Sequence, residues 1–290
     1  MTDDPFSALT PKLFAIAYRM MGSATEAEDI VQEAYLRWHD VDPSEVQSPE
    51  AYLRKTVIRL CLDAQKSARA RREVYPGVWL PEPIREDIMQ PPMTAPEEQV
   101  TEWESLSMAF LLLLETLTPE ERAVFLLREV FNYEYHELAG ILGKREDACR
   151  QMFSRAKKHI LAHRPRFAPS PDKHQQILAS FMQAISDGNL TGLVSLLSAD
   201  VTAYSDGGGK AQAFMRPVTG QTAVARLMMG LMKNSLASSA TVEVAFINGQ
   251  LGVILRSEAL GDTVMTIGIE GETVSAIYFT RNPDKLGHVL

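Results

Sequence analysis

Two clusters of basic side chains in this sequence could bind a polyanion. The first contains Arg54, Lys55, Arg59, Lys66, Arg69, Arg71 and Arg72, against Asp63 alone. The second contains Lys144, Arg145, Arg150, Arg155, Lys157, Lys158, Arg164 and Arg166, against Glu146 and Asp147. An acidic stretch from Glu82 to Glu104 separates the two clusters. This pattern predicts two contacts with a nucleic acid, although two solvated helix faces would have the same composition.

The net charge of −8 argues by itself against a nucleic-acid binder, but for a local contact the positions of the charges matter more than their sum. With 46% hydrophobic and 23% charged residues, the 290-residue chain is typical of two or three small globular domains. Its first residues, MTDDPFSALTPK, are acidic where a signal peptide is basic, and no apolar run is long enough for a membrane span. We therefore expect a cytoplasmic protein that does not bind membranes.

A third set of polar residues, in the C-terminal part, could take part in catalysis. These candidates are Tyr204, Asp206, Lys210 and Arg256. An isomerase needs a carboxylate base in a pocket and a donor for the enolate oxygen. Asp206 adjoins three glycines, which suits a loop role at least as well, and no acid pair or histidine pair has catalytic spacing. We expect no turnover, no cofactor and no metal.

The remaining histidines and cysteines of interest predict only structural roles. His174 and His288 lie at the edges of the C-terminal domain, which predicts surface or capping residues. Cys61 and Cys149 lack metal-type spacing and are interpreted as buried reduced thiols.

Helices must position the first basic cluster. Apolar residues recur at helical spacing from Leu13 to Met21, and Gly22 ends that helix. Thr25, with a glutamate three residues later, predicts a capping box at the start of a second helix. A third helix is predicted from about Glu50 to Arg72, with the basic cluster at its far end.

The second basic cluster falls in a predicted helix-turn-helix. After a helix from about Val100 to Leu117, the sequence TPEE predicts a capping box at Thr118, and the helix that follows is expected to bury Val124, Leu127 and Phe131. A short helix from Tyr135 to Leu142, a turn at Gly143 and a basic helix from about Arg145 to Ala162 complete the pattern. A plain antiparallel helix pair is the alternative.

Proline-rich segments divide the chain. Residues 75–96 predict a linker, yet Trp79 and Leu80 are too apolar to be left in solvent and are expected to dock on a domain. The sequence PRFAPSP at 165–171 predicts a second linker. Beyond it, helices precede alternating strands with a hairpin turn at Asn248-Gly249, which predicts an α+β cone with an antiparallel sheet.

Several motifs resemble those of a known family. Through TEAEDIVQEAYLRW and AYLRKTVIRLCLDAQKSARARRE, residues 6–72 resemble the second conserved region of extracytoplasmic-function RNA polymerase sigma factors (group 4 of the sigma-70 superfamily). Through LTPEERAVFLLREVFNYEYHELAGILGKREDACRQMFSRAKKHI, residues 104–163 resemble the fourth region. Residues 173–290 resemble the SnoaL-like, NTF2-type cone. WLPEP, DGGGK and NPDKL together resemble the subgroup that carries a fused SnoaL-like domain.

The resemblance implies a multidomain protein with two all-α sigma domains and an α+β cone. The implied organisation is region 2 at 1–75, a linker at 76–103, region 4 at 104–164, a linker at 165–172 and a regulatory domain at 173–290. The implied function is that of an alternative sigma factor that binds core RNA polymerase and promoter DNA, regulated by its own C-terminal domain without a separate anti-sigma factor. The resemblance leaves open whether the C-terminal domain also binds an unidentified small ligand. The alternatives are a polymerase-independent helix-turn-helix regulator with a ligand-sensing domain and a SnoaL-type isomerase or cyclase with a DNA-binding appendage.

The resemblance also implies site residues. Core polymerase is expected to contact Asp29, Gln32, Glu33 and Arg37. The proximal promoter element is expected to contact Arg54, Lys55, Arg59, Arg69, Arg71 and Arg72. The distal element is expected to contact Arg145, Arg150, Gln151, Arg155, Lys157 and Lys158. Regulatory interdomain contacts are expected at Trp79, Leu80, Pro81, Glu82, Pro83, Asp206, Gly207, Gly208, Gly209, Lys210, Asn282, Pro283, Asp284, Lys285 and Leu286.

Arg145 departs from the family pattern, which has Ser or Thr there as a helix cap. Arginine has no oxygen acceptor with which to cap, so we expect a frayed start, a cap supplied elsewhere, or a phosphate contact from Arg145.

Overall fold

The computed structural model describes residues 5–42, 46–85, 106–163, 169–237 and 239–290. The chain divides into two compact units. Of the described residues, the first unit comprises 5–42, 46–74, 106 and 110–163, and the second comprises 75–85, 107–109, 169–237 and 239–290. The beginning of the first predicted linker therefore belongs to the C-terminal unit.

The first unit begins with helices α1 (Pro5–Met21), α2 (Ala24–His39) and α3 (Pro49–Glu73). Gly22, with a φ of 69°, ends α1. The predicted capping box at Thr25 and Glu28 is wrong: the cap is Ser23, whose side chain accepts the N–H of Glu26 at 3.2 Å. The helix begins earlier than predicted because Ala24 packs into the core with no exposed surface.

Four further helices are α4 (Met108–Glu115), which lies in the first unit from Phe110 onward, and α5 (Pro119–Glu129), α6 (Tyr135–Leu142) and α7 (Glu146–His163), which lie wholly in it. The capping box at Thr118 and Glu121 is confirmed. Gly143 adopts a left-handed φ of 64° between α6 and α7, which confirms the tight turn. Helix α5 ends before Phe131, which is only half-buried. The start of the predicted helix at Val100 lies outside the described residues.

The second unit contains helices α8 (Pro171–Ser186), α9 (Leu190–Leu196) and α10 (Gln221–Ala237) and a six-stranded sheet in the order β2-β1-β6-β5-β4-β3. The strands are β1 (Leu197–Asp206), β2 (Val218–Thr219), β3 (Thr241–Ile247), β4 (Gln250–Arg256), β5 (Thr263–Glu270) and β6 (Thr273–Thr280). Strand β1 pairs with β6 in parallel. The sheet is therefore mixed, and the predicted antiparallel sheet is wrong at this pair, because β1 and β6 are separated by β2, α10 and three further strands and run in the same direction.

The turn and core of the second unit follow from its sequence pattern. Asn248 and Gly249, with φ of 52° and 76°, form the predicted two-residue hairpin turn. Phe181 on α8 and Val224 on α10 are fully buried in one apolar cluster with the inward side chains of the sheet. The predicted α+β class is confirmed. Within the described residues, no helix is both long and apolar enough to cross a membrane.

Both cysteines are buried free thiols, as predicted. Burial raises the pKa of Cys61 far above its usual value, so the thiol stays protonated and unreactive. The surface role predicted for His174 is wrong. Its side chain is only 4% exposed, because α8 carries it into the core beside Ile177 and Leu178. Burial lowers the pKa of His174.

His174 should make the second unit less stable in acid. Below about pH 6.5 the unfolded imidazole takes up a proton that the buried imidazole resists, so the free energy of unfolding falls as pH falls, by at most about 1.4 kcal/mol per pH unit. We expect His174→Gln to shrink the drop in melting temperature between about pH 7.5 and pH 5.5, as measured by calorimetry. An equal drop in the variant and the parent would contradict this assignment.

Candidate functional site

Helix α7 presents one buried and one exposed face. Cys149, Met152, Ala156 and Ile160 recur every three or four residues and are at most 6% exposed. The opposite face exposes Arg150, Gln151, Ser154, Arg155 and Lys158. Sequence reasoning missed Ser154, although its spacing of three and four residues from Gln151 and Arg150 could have indicated it. A helix of this kind can enter a major groove and offer both base-pairing and phosphate-binding groups.

Three cations of α7 are paired with nearby acids. Arg150 contacts Glu146 at 3.0 Å, and its guanidinium lies 4.4 Å from the centre of the Tyr135 ring. Further pairs join Arg155 to Glu121 at 3.6 Å and Lys157 to Glu129 at 2.9 Å. Such exposed pairs contribute little stability, so DNA phosphates could replace the acids at small cost.

Arg145 stands where the family has a Ser or Thr cap, and the start of α7 has an acidic residue nearby instead. Asp147, in the first turn, accepts the N–H of Ala148 at 2.9 Å and pairs with Arg145 at 3.2 Å. An acid in the first turn of a helix interacts favourably with the helix dipole. The Arg145 side chain is 85% exposed and remains available for a phosphate.

The predicted proximal-element residues on α3 are only partly available. Arg54 pairs with Glu50 and lies 5.4 Å from the centre of the Tyr133 ring, and the Nε of Arg59 donates to the carbonyl of Ile141 at 3.3 Å. Both Tyr133 and Ile141 belong to the helix-turn-helix part. Lys55 is half-buried, and the side chains of Arg69 and Arg71 lie outside the described residues.

Arg72 is the most enclosed of these cations. Its guanidinium pairs with Glu115 and donates to the carbonyl of Met21 at 2.5 Å. Burial lowers the pKa of Arg72, and the Glu115 carboxylate opposes that shift. The Arg72 side chain is only 18% exposed, so its predicted phosphate contact would require the contact with Glu115 to break.

Arg122 also binds Glu115, the partner of Arg72, and it was not predicted from the sequence. Although only 4% exposed, it donates to the carbonyls of Met20 at 2.7 Å and Leu114 at 3.0 Å and pairs with Glu115 at 2.6 Å. Arg122 lies among charged residues near the start of a helix, and arginine is rarely buried without partners. From the sequence alone, this position therefore looks like a solvent-exposed one. Three described acceptors contact this guanidinium, so a buried cation joins α1, α4 and α5.

Helix α2 exposes the four residues predicted to contact polymerase: Asp29, Gln32, Glu33 and Arg37. Glu33 and Arg37 form an ion pair at 2.8 Å. Beside them the side chains of Leu36 and Tyr35 are 53% and 39% exposed. Tyr35 lies at the surface against the ring of Phe6. A polar surface with exposed apolar groups suits a reversible protein interface.

The second unit is organised around a buried carboxylate. Asp206 has no exposed surface and accepts four hydrogen bonds. Their donors are the Tyr75 hydroxyl at 2.6 Å, the Leu80 N–H at 2.8 Å, the Gly208 N–H at 3.0 Å and the Lys285 ammonium at 2.7 Å. Tyr75 and Leu80 come from the predicted linker. Asp206 therefore fixes the linker to the end of β1.

Lys285 binds the linker from the other side. Its ammonium donates to the carbonyl of Leu80 at 2.5 Å and lies 4.2 Å from the centre of the Trp79 ring and 5.0 Å from that of Tyr75. Asn282 donates to the Tyr75 hydroxyl at 2.9 Å. Burial and the neighbouring Asp206 raise the pKa of Tyr75, so its hydroxyl keeps the proton that it donates. Leu80 itself is fully buried.

The glycines of DGGGK make this approach possible. Gly208 and Gly209 have φ of 59° and 71°, which side-chain-bearing residues rarely adopt. A Cβ atom on Gly208 would collide with the Asn282 amide, and one on Gly209 would lie 3.0 Å from the Pro76 ring. The two glycines thus allow the loop to lie against both the linker and the NPDKL segment.

The linker stays attached to the second unit as far as Arg85. Glu82, 2% exposed, contacts His288 at 2.8 Å. The N–H of Ile84 donates to the side chain of Asn248 at 3.0 Å, and Arg85 pairs with Glu243 at 2.7 Å. His288 is therefore a linker contact rather than the surface or capping residue predicted. We call residues 75–85, with Asp206, Asn282 and Lys285, the latch.

The remaining members of the predicted interdomain set lie at its periphery. Lys210 and Asp284 form an exposed pair at 2.5 Å. Pro81 and Pro83 are buried, Leu286 is 3% exposed, and Pro283 begins a short 3-10 helix, Pro283–Lys285. The three signature motifs therefore meet at one place.

None of the residues considered for catalysis lines the cavity that the structure describes in the second unit. Tyr204 stacks on Tyr278, and Arg256 contacts Glu243 at 3.6 Å. A cavity of about 370 Å³ lies elsewhere in the unit, and its described lining includes no carboxylate and no imidazole. Among the described residues, no three His, Cys, Asp or Glu side chains are arranged to hold a metal ion.

Comparison with known proteins gives matches along the whole chain. Residues 6–71 match the Sigma-70 region 2 family, and residues 107–160 match the Sigma-70, region 4 family. ECF RNA polymerase sigma factor SigJ of Mycobacterium tuberculosis is 36% identical over 289 residues, which cover 97% of this chain and 91% of that protein. Probable ECF RNA polymerase sigma factor SigI of the same species is 32% identical over 67% of this chain and 66% of that protein.

The fold has a counterpart in a solved structure. The crystal structure of Mycobacterium tuberculosis extracytoplasmic function sigma factor SigJ matches with a TM-score of 0.78 and 32% sequence identity. The match covers 98% of this chain and 97% of that chain, and so includes the helical regions and the C-terminal sheet.

Asp206→Asn should loosen the latch. The change leaves the Lys285 ammonium buried without its counter-ion, which typically costs about 3–5 kcal/mol. We expect faster hydrogen exchange in a peptide that covers residues 75–85, measured by mass spectrometry. Lys210→Ala is the matched control, because it removes an exposed ion pair of the same loop and should leave that exchange nearly unchanged. Equal exchange in Asp206→Asn and the parent would rule out Asp206 as the anchor.

Proposed function

Because this chain belongs to the ECF RNA polymerase sigma factors, we propose that it docks on core RNA polymerase through α2 and reads promoter DNA through α3 and α7, under control of its own latch. Members of this family are transcription initiation factors and not enzymes. The observation that carries the proposal is the exposed face of α7, set by the left-handed turn at Gly143, in a chain that matches region 2 and region 4. We infer that the chain works in the cytoplasm, where the polymerase acts.

Reading of the distal element is assigned to α7. Arg150, Gln151 and Ser154 lie on its exposed face near the helix start, where side chains reach base edges when a recognition helix enters the groove. Arginine and glutamine can each form two hydrogen bonds to one base. Lys157 and Lys158, farther along the helix, are assigned to phosphates, together with Arg145 and Arg155.

Reading of the proximal element requires a rearrangement of the first unit. Arg54, Arg59 and Arg72 now contact groups of the helix-turn-helix part. Two promoter elements at separate positions along DNA demand that the two helical regions separate. We infer that the described arrangement is a closed state and that binding to polymerase and promoter selects an open one.

Docking on core polymerase is assigned to the exposed face of α2. Asp29, Gln32, Glu33 and Arg37 supply polar contacts, and Leu36 supplies an apolar one. A stand-alone helix-turn-helix regulator would leave this helix and its region 2 match without a role. Family membership and the exposed polar face both favour the sigma factor.

Regulation is assigned to the latch. It holds the beginning of the segment that connects α3 to the helix-turn-helix part, and it does so through buried groups of the same chain. A binding partner on the same chain has a high effective concentration, so it can restrain that segment without a separate anti-sigma protein. We infer that release of residues 75–85 makes the open state easier to reach.

Transcription in vitro with purified core polymerase tests the function directly. We expect a specific transcript with the full-length chain, and a changed yield when the latch is weakened by Asp206→Asn or removed by a cut after Arg164. Lys210→Ala should give the yield of the parent. Specific DNA binding without any transcript would instead favour a polymerase-independent regulator.

Substitutions on α7 should separate base reading from phosphate binding. Gln151→Ala should weaken binding to the cognate distal element by about 1–3 kcal/mol while hardly changing binding to random DNA. Lys158→Ala should weaken both and lower the slope of log affinity against log salt by about 1. Fluorescence anisotropy at several salt concentrations measures both effects. Equal losses on cognate and random DNA for Gln151→Ala would contradict its assignment.

Glu115→Ala should favour the open state, because Glu115 neutralises both Arg72 and Arg122. If the substitution lowers the free energy that favours the closed state over the open state by about 1.4 kcal/mol, the fraction of open chain rises about tenfold. We expect more transcript at limiting amounts of the protein, and the same yield as the parent at saturation. Glu272→Ala removes an exposed ion pair with Lys173 in the second unit and serves as the control. A lower yield with Glu115→Ala would contradict the closed-state assignment.

A further inference from the structure

The second unit contains a cavity of about 370 Å³ between its helices and its sheet. Its volume falls within the range of small-molecule sites in proteins. The walls are largely apolar and include four methionines, Met182, Met228, Met232 and Met265. Methionine side chains adapt to ligands of different shapes. The cavity is therefore suited to an apolar molecule of modest size.

Arg281 is the one cation among the described residues that line this apolar space. Arg281 is half-buried, and all its described partners are neutral. Its Nε donates to the Thr263 hydroxyl at 3.1 Å, one Nη to the carbonyl of Gln212 at 2.5 Å, and the other Nη to the carbonyl of Leu260. These bonds fix the plane of the guanidinium and leave two of its five N–H groups for a ligand. Among the described residues, no carboxylate pairs with it.

The electrostatics of the cavity select for one sign of charge. Burial lowers the pKa of Arg281, but an arginine remains charged in proteins. The other polar lining groups, Ser205, Gln212, Asn234 and Thr263, are neutral. An anion in the cavity would meet a fixed cation, whereas a cation would meet only repulsion from Arg281. A charge-assisted hydrogen bond is roughly twice as strong as a neutral one.

We propose that this cavity binds a small, largely apolar carboxylic acid, with its hydrocarbon part among the methionines and its carboxylate on Arg281. Neither an enzymatic role nor a metal is involved. The apolar body supplies most of the binding free energy, and the guanidinium supplies the selection for the acid.

The cavity shares two segments with the latch. Ser205 lines the cavity, and the next residue is Asp206. The backbone N–H groups of Arg281 and Asn282 donate to the Asp206 carbonyl at 2.8 and 2.9 Å. A ligand that shifts Arg281 therefore acts on the strand ends that hold residues 75–85. Only the regulatory role of this coupling rests on the proposed function, whereas binding of the acid and the structural coupling itself do not.

Calorimetric titration of the full chain with octanoate, octanol and octylammonium tests the site. We expect octanoate to bind at one site, octanol to bind at least about tenfold more weakly, and octylammonium not to bind. Arg281→Gln should lower the octanoate affinity to that of octanol. Equal affinity for octanoate and octanol in the parent chain, or no binding of octanoate, would overturn the proposal.

Two further variants keep the test independent of folding defects at Arg281. Met232→Trp narrows the cavity and leaves Arg281 in place, so it should abolish octanoate binding. Arg256→Gln removes an arginine that contacts Glu243 outside the cavity, and it should bind octanoate like the parent. Unchanged binding in Met232→Trp would place the acid elsewhere.

Hydrogen exchange of residues 75–85, with and without octanoate, tests the coupling separately. We expect the exchange rate to change at least about twofold in the parent chain and to stay constant in Met232→Trp. Binding of octanoate without any change in exchange would overturn the coupling and leave the site intact. Absence of a transcript in the polymerase assay would affect neither result.

Discussion

The buried carboxylate of Asp206 is the interaction on which the second unit's hold on the linker depends. A buried ion pair loses hydration that its Coulomb attraction only partly restores, so it needs further hydrogen bonds. Asp206 has them from Tyr75, Leu80 and Gly208 in addition to Lys285. Three of these donors are specific groups of the linker and the NPDKL segment. The buried ion pair therefore selects one register of the linker, which apolar contact alone would not do.

A second buried charge has the same role in the first unit. Arg122 and Glu115 lie where α1, α3, α4 and α5 meet, and Arg72 shares the same carboxylate. Both units therefore hold their parts together by a charge whose partners come from distant positions in the chain. Such contacts break as a set, because removal of one partner leaves another charge buried and unpaired. This behaviour suits the change between a closed and an open state that we propose.

The sequence was most informative where the chemistry is local. The capping box at Thr118, the turn at Gly143 and the hairpin at Asn248-Gly249 depend on a few consecutive residues, and all three were predicted correctly. The cap of α2 was misplaced because Ser23 and Thr25 can each cap a helix and each has a glutamate three residues later, and the burial of Ala24 selects the earlier one. The mixed sheet was missed because alternation along a strand does not report the direction of its neighbour.

The sequence by itself determined the family, the two helical regions, the α+β unit and the groups of residues that carry their signatures. Charge clusters, helical periodicity and motifs depend only on the order of residues along the chain, so they can be read from the sequence directly. Only the tertiary structure decided that Asp206 contacts Leu80, that Arg72 is enclosed with Glu115, and that Arg281 lines an apolar cavity. The reason is that burial and pairing depend on which distant segments meet, and the same aspartate or arginine is a solvated surface group until a fold removes it from water.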